Sequence, residues 1–186
     1  PNIQLQFTSS VDKSLLFTPN VDVAILYGEA PRRDCWLSHW TRFDLFPVTS
    51  PTHLNRHAIR NLSDLHDHVL LHADDGREWH TWLGTAGALD ITTRQQHYMG
   101  DARLAIDAAL QGQGIALGDT VTASNLLSTG DLVVPFDLAV PANDAFYIAC
   151  KHEIRSTPIV DVFIEWLFRT LAEDQVNSLV PNSQNP

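Results

Sequence analysis

Between Asp101 and Phe136 the apolar residues change period more than once. Ala102, Ala105, Ile106, Ala109 and Leu110 recur at three-and-four spacing behind Asp101, which predicts an amphipathic helix over 101–111 with an acidic N-cap. Gly112 and Gly114 end it. Ile115-Ala116-Leu117-Gly118 is a short unbroken apolar run, suited to a parallel strand buried on both faces. A second helix is expected over 119–128, closed by Gly130, and Leu132-Val133-Val134-Pro135-Phe136 reads as the next strand.

The same reading along the whole chain gives strands near 3–8, 22–26, 43–49, 69–73, 94–98, 114–118, 132–135 and 145–150. Helices fall near 11–17, 61–66, 77–86, 101–111, 119–128 and 158–173. Strands alternating with helices indicate an α/β protein whose parallel sheets carry helices on both faces. Pro51 and Pro141 stand where the chain can cross between lobes, and no internal repeat is visible. The polar segment 174–186, with Asn, Ser and two Pro, is expected to be disordered.

Several stretches in this order carry a family resemblance. They are Pro1-Asn2-Ile3-Gln4-Leu5, Val21-Asp22-Val23-Ala24-Ile25-Leu26-Tyr27-Gly28, Pro47-Val48-Thr49-Ser50-Pro51, Arg77-Glu78-Trp79 with Trp82-Leu83, the helix–Gly-x-Gly–strand unit described above, and Glu165-Trp166-Leu167. Together they resemble the effector-sensing domain of LysR-type transcriptional regulators, on the branch of the glycine-cleavage activator, over about residues 1–173.

The resemblance implies two Rossmann-like lobes of the type 2 periplasmic-binding-protein kind. Lobe one would take 1–50 plus 145–173, and lobe two 51–144. The match starts at what looks like the family's second strand, so lobe one is expected to lack its usual first strand and helix. The winged helix-turn-helix that binds DNA in such regulators would lie N-terminal to this segment. The implied function is sensing of a small-molecule effector, with a homodimer possible.

Composition narrows this further. The 186 residues are 44% hydrophobic and 18% charged, enough for one large core or two small ones. Twelve Lys and Arg face 22 Asp and Glu, a net charge of −10 with no basic run. Phosphate neutralisation dominates nucleic-acid affinity, so direct DNA binding by this chain is not expected. No run reaches the ~20 apolar residues of a membrane span, and a cytoplasmic location is expected. Cys35 and Cys150 fit no ligand spacing and read as free thiols.

In open parallel sheets small molecules bind beyond the carboxyl ends of strands, where helix N-termini present unpaired N–H groups. The candidate effector contacts are therefore Thr8, Ser9 and Ser10, then Leu26 and Tyr27, then Met99, Gly100 and Asp101, with Phe146 and Tyr147 as an aromatic wall. Thr8–Ser10 and Asp101 read equally as helix caps, and one of Phe146 and Tyr147 should face the core. Relatives whose strand reads Ala-Ile-Arg-Tyr-Gly carry Arg where Leu26 stands. An apolar residue there, beside Asp101, favours a cationic or hydrogen-bond-donating effector such as an amine over an anion.

Two further classes compete with sensing. A transporter's solute-binding protein would share the fold. A metal-dependent enzyme would use His66, Asp67, His68, His72, Asp74, Asp75 and His80, but their spacing matches no metalloenzyme motif; Asp74-Asp75-Gly76 reads as a turn with Asp75 as a possible cap. No nucleophile elbow or phosphate loop occurs, and Gly112-Gln113-Gly114 lies between helix and strand, the wrong order for dinucleotide binding. No catalytic residue, cofactor or metal is assigned.

Overall fold

The computed structural model describes residues 3–10, 12–28, 34–41 and 43–178, with side chains as far as residue 170. In chain order the strands are β1 (Ala24–Gly28), β2 (Trp36–Thr41), β3 (Asp44–Val48), β4 (Val69–His72), β5 (Gln95–Tyr98), β6 (Ile115–Gly118), β7 (Val140–Pro141) and β8 (Ala145–Cys150). The α-helices are α1 (Pro51–Arg56), α2 (Arg77–Thr85), α3 (Ala102–Leu110), α4 (Ser124–Ser128), α5 (His152–Arg155) and α6 (Pro158–Ser178), with 3-10 turns at Lys13–Phe17 and Leu62–Asp67. The chain divides into two compact units, Pro1–Thr41 with Asp144–Pro186, and Arg42–Asn143.

The first unit holds a three-stranded sheet in the order β1-β8-β2, antiparallel throughout. Alternation along β8 sorts its side chains onto two faces. Ile148 and Cys150 pack with Val160, Ile164 and Leu167, which recur at four and three residues along α6. Tyr147 and Ala149 turn the other way, to Leu16 and Leu26. Each aliphatic side chain buried in this way contributes roughly 1.5–3 kcal/mol.

The second unit is a five-stranded mixed sheet in the order β5-β4-β6-β3-β7. β4 runs parallel to both β5 and β6, while β3 is antiparallel to β6 and β7. Helix α3 lays Ala105, Ile106, Ala108 and Ala109 against Val48, Leu71 and Ala116. Small residues on that face let the helix sit close to the sheet. Gly112 ends α3 at a left-handed φ of +75°. Gly114 is required for a different reason, since a Cβ there would meet the Val69 backbone.

The structure corrects several sequence expectations. Residues 3–8 form no strand, and β2 was not foreseen. The first unit's sheet is antiparallel where parallel pairing was expected. Asp44–Val48 joins the second unit's sheet, so the segment 42–50 does not belong with residues 1–41. The stretch 132–135 makes only a single bridge, Val133 to Thr49, because Pro135 has no N–H to extend a ladder. Of the helix expected over 119–128 only Ser124–Ser128 is α-helical: the Asp119 carboxylate accepts from the N–H groups of Val121 and Thr122 and holds 119–122 as a turn. Helix α6 runs on to Ser178, through part of the tail expected to be disordered; residues 179–186 lie outside those described, as does Val11 at the start of the first expected helix.

Candidate functional site

In the second unit the carboxyl ends of β4 and β5 come together. The N–H of Met99 donates to the carbonyl of His72 at 2.8 Å, extending the parallel ladder by one residue. Gly100 then turns with φ +69°, and Asp101 caps α3 by accepting from the N–H of Leu104 at 3.1 Å. Asp101 and Gly100 are exposed and Met99 is half-buried. The cap reading of Asp101 is therefore realised, with the carboxylate on the surface of the unit.

His72, at the end of β4, is a feature that sequence reasoning did not place here. Its ring stacks on Tyr98 with centroids 4.5 Å apart, and it is 3% exposed. Neither ring nitrogen has a hydrogen-bond partner. Burial pushes its pKa down, opposed by the nearby Asp74 carboxylate. The sequence signal was only its position as the last residue of an apolar strand.

In the first unit, Tyr27 faces Phe146 across β1 and β8, with ring centroids 5.0 Å apart, and Phe146 also meets Trp40 edge-on at 6.3 Å. Tyr147 lies on the opposite face with Leu26, so it is the core-facing member of the aromatic pair. Leu26 is buried against Leu16 and Ala149. Thr8, Ser9 and Ser10 are exposed and irregular. Ser10 Oγ accepts from the Asp12 N–H, and the cap of the following 3-10 turn is Asp12 rather than any of the three.

The acidic and histidine-rich stretch 66–80 is spread over separate contacts. Asp67 pairs with Arg94 at 3.1 Å, Asp75 with Arg77 at 2.9 Å, and His66 bonds the Thr92 carbonyl. Asp74, not Asp75, accepts from the N–H groups of Gly76 and Glu78 and so serves the start of α2. Among the described residues no group of three or more His, Cys, Asp or Glu side chains could hold a metal ion.

His68 has a different partner. Its Nδ1 lies 2.9 Å from Nε2 of His53, and His53 Nδ1 lies 3.0 Å from the Gly112 carbonyl. A carbonyl only accepts, so His53 carries its proton on Nδ1 and His68 Nδ1–H donates to it. Both rings are buried, and burial lowers both pKa values. Burial thus favours the neutral form of each ring.

The arrangement has known counterparts. The model of the LysR substrate binding domain matches residues 1–172. The chain belongs to that family. It is 30% identical over 157 residues to the glycine cleavage system transcriptional activator of Escherichia coli K12, covering 84% of this chain and 52% of the relative. It is 31% identical over 178 residues to the HTH-type transcriptional regulator DsdC of the same organism, covering 90% and 56%. The chain thus spans about half the length of the curated relatives it matches.

Among solved structures, the effector domain of AmpR from Pseudomonas aeruginosa superposes with a TM-score of 0.74 at 20% identity, covering 86% of this chain and 77% of that one. The AmpR effector binding domain from Citrobacter freundii gives 0.73 at 23%, covering 88% and 80%. The fold is that of LysR effector-binding domains, α/β and periplasmic-binding-protein-like, and the chain is an effector-binding domain of that family.

Proposed function

We propose that this LysR-type domain senses a small cationic or hydrogen-bond-donating metabolite, and that the carboxyl end of β5 supplies part of its binding surface. The observation that carries the reading is the Met99-Gly100-Asp101 turn, which presents an exposed carboxylate beside the start of α3 within a family of effector-binding domains. Leu26 is not part of the proposed surface.

The domain works as a regulator only if the effector binds two states of the protein with different affinity. DNA contact would come from another part of the regulator, since this chain carries a net charge of −10. The site has no catalytic role, and its place of action is the cytoplasm. Helix α6 exposes Ile159, Val162 and Trp166, apolar surface that a second copy of the chain would cover.

A thermal-shift screen with amines, amino acids and small carboxylates tests the proposal. A ligand present at 100 times its Kd stabilises by about 2.7 kcal/mol. Asp101→Asn keeps an N-cap acceptor but removes the charge, so it should abolish the shift while leaving the melting temperature of the free protein nearly unchanged. A screen in which only dicarboxylates stabilise the protein overturns the reading.

A further inference from the structure

Among the described histidines only His72 has both ring nitrogens buried and unpartnered. Folded proteins leave few buried polar groups in that condition, and an imidazole with neither nitrogen bonded is a group waiting for a partner. The ring stands at the carboxyl end of β4 and lies under Tyr98, with centroids 4.5 Å apart and planes 19° from parallel.

The cover over the ring is light. Tyr98 is 59% exposed, and all four residues of β5, the edge strand that carries it, are exposed. Its hydroxyl donates to Gln96 Oε1 on the same strand at 2.8 Å. Gly76, at φ +101°, brings no side chain: a Cβ there would stand 3.5 Å from His72 Nδ1 and 3.6 Å from Tyr98 Cε1. Nδ1 therefore faces the gap between Gly76 and the tyrosine ring. Rotation of Tyr98 about its side-chain bonds opens that gap to solvent.

We infer that His72 is a specificity-determining residue of the effector surface, its Nδ1 accepting a hydrogen bond from an ammonium or hydroxyl group of the metabolite once Tyr98 turns aside. The inference rests on the reading of the Met99-Gly100-Asp101 turn as part of that surface. The two lie together, because the Met99 N–H bonds the His72 carbonyl and Asp101 follows two residues on. A neutral imidazole offers one lone pair, and an imidazolium offers none. Burial disfavours the charged ring and so keeps the lone pair available. The surrounding charges select the ligand. Asp74 lies near the ring, Asp101 is at the next turn, and Arg77 is held by Asp75 at 2.9 Å and Asp74 at 4.0 Å. A cation or a neutral donor is favoured there over an anion.

The test is a thermal-shift panel of ethylamine, ethanolamine and putrescine, with acetate and succinate as anionic controls, on the parent, His72→Phe and Asp101→Asn. At least one amine should stabilise the parent. Its affinity should fall about tenfold or more in His72→Phe, which keeps the ring stack but offers no nitrogen. In the isotope-labelled parent the same amine should move the His72 Nδ1 resonance, a readout that does not depend on how the variant packs. Loss of binding in Asp101→Asn but not in His72→Phe, with the resonance unmoved, overturns this inference and leaves the role of Asp101 standing. Loss in His72→Phe alone, with the resonance moved, sustains His72 and overturns the role of Asp101. Stabilisation by the anions alone, or by no compound, overturns both.

Discussion

A Cβ placed on Gly114 would stand 2.4 Å from the carbonyl oxygen of Val69. The residue immediately before β6 thus passes against the backbone at the start of β4, where the parallel pairing of the two strands begins. Gly114→Ala must push the two strands apart and should destabilise by about 1–3 kcal/mol or more. Gly84→Ala in helix α2 is the control of opposite sign. Its Cβ meets only ordinary contacts with Leu89 at 3.7 Å, and it should stabilise by roughly 0.5–1 kcal/mol. Urea denaturation of the two variants checks both signs.

His72 makes stability pH-dependent. Its folded pKa lies below the ordinary 6.5, so the unfolded chain takes up a proton more readily than the folded one. Above about pH 6.5 neither state is protonated and nothing is lost. As pH falls below that value, stability drops by up to about 1.4 kcal/mol per unit until the folded ring also protonates. Denaturation at pH 7.5, 6 and 5 should therefore show a decline that is shallower in His72→Phe, which keeps the stack on Tyr98. A variant with the parent's slope would place the linkage elsewhere.

Asp119 is 5% exposed and accepts from Val121 N–H at 2.6 Å, Thr122 N–H at 2.9 Å and Thr122 Oγ1 at 2.8 Å. Asp119→Ala leaves those donors without their acceptor and should cost about 1–3 kcal/mol. Amide exchange at Val121 and Thr122 should speed up with it.

Leu26 and Tyr27 are neighbours with opposite surroundings. Leu26→Ala opens a void against Leu16 and Ala149 and should cost about 2–5 kcal/mol. Tyr27→Ala, at a side chain 37% exposed, should cost less. Equal losses of stability would contradict the assignment of the two faces of β1.

The elements that could be read from sequence are those whose burial is set by local period. Helix α3 and strand β6 are of this kind: Ala105, Ile106 and Ala109 are buried at the expected spacing, and all four residues of β6 are buried. Strand β2 was missed because Trp36-Leu37-Ser38-His39-Trp40-Thr41 alternates weakly and owes its pairing to β8, more than 100 residues on. The strand expected at 3–8 has the right composition but no pairing partner among the described residues. The Asp101 cap was legible because a capping residue acts on its own helix. The His53–His68 contact was not, because only the tertiary fold brings them together.

The order of strands in the first unit sets a schedule for synthesis. β1 and β2 pair with β8 and not with each other, and β8 follows the whole of the segment Arg42–Asn143. On the ribosome the second unit is complete in sequence and can fold while β1 and β2 are still waiting. The central strand that joins them is made only afterwards, so a chain cut off before residue 145 would release a finished second unit carrying a first unit without its middle.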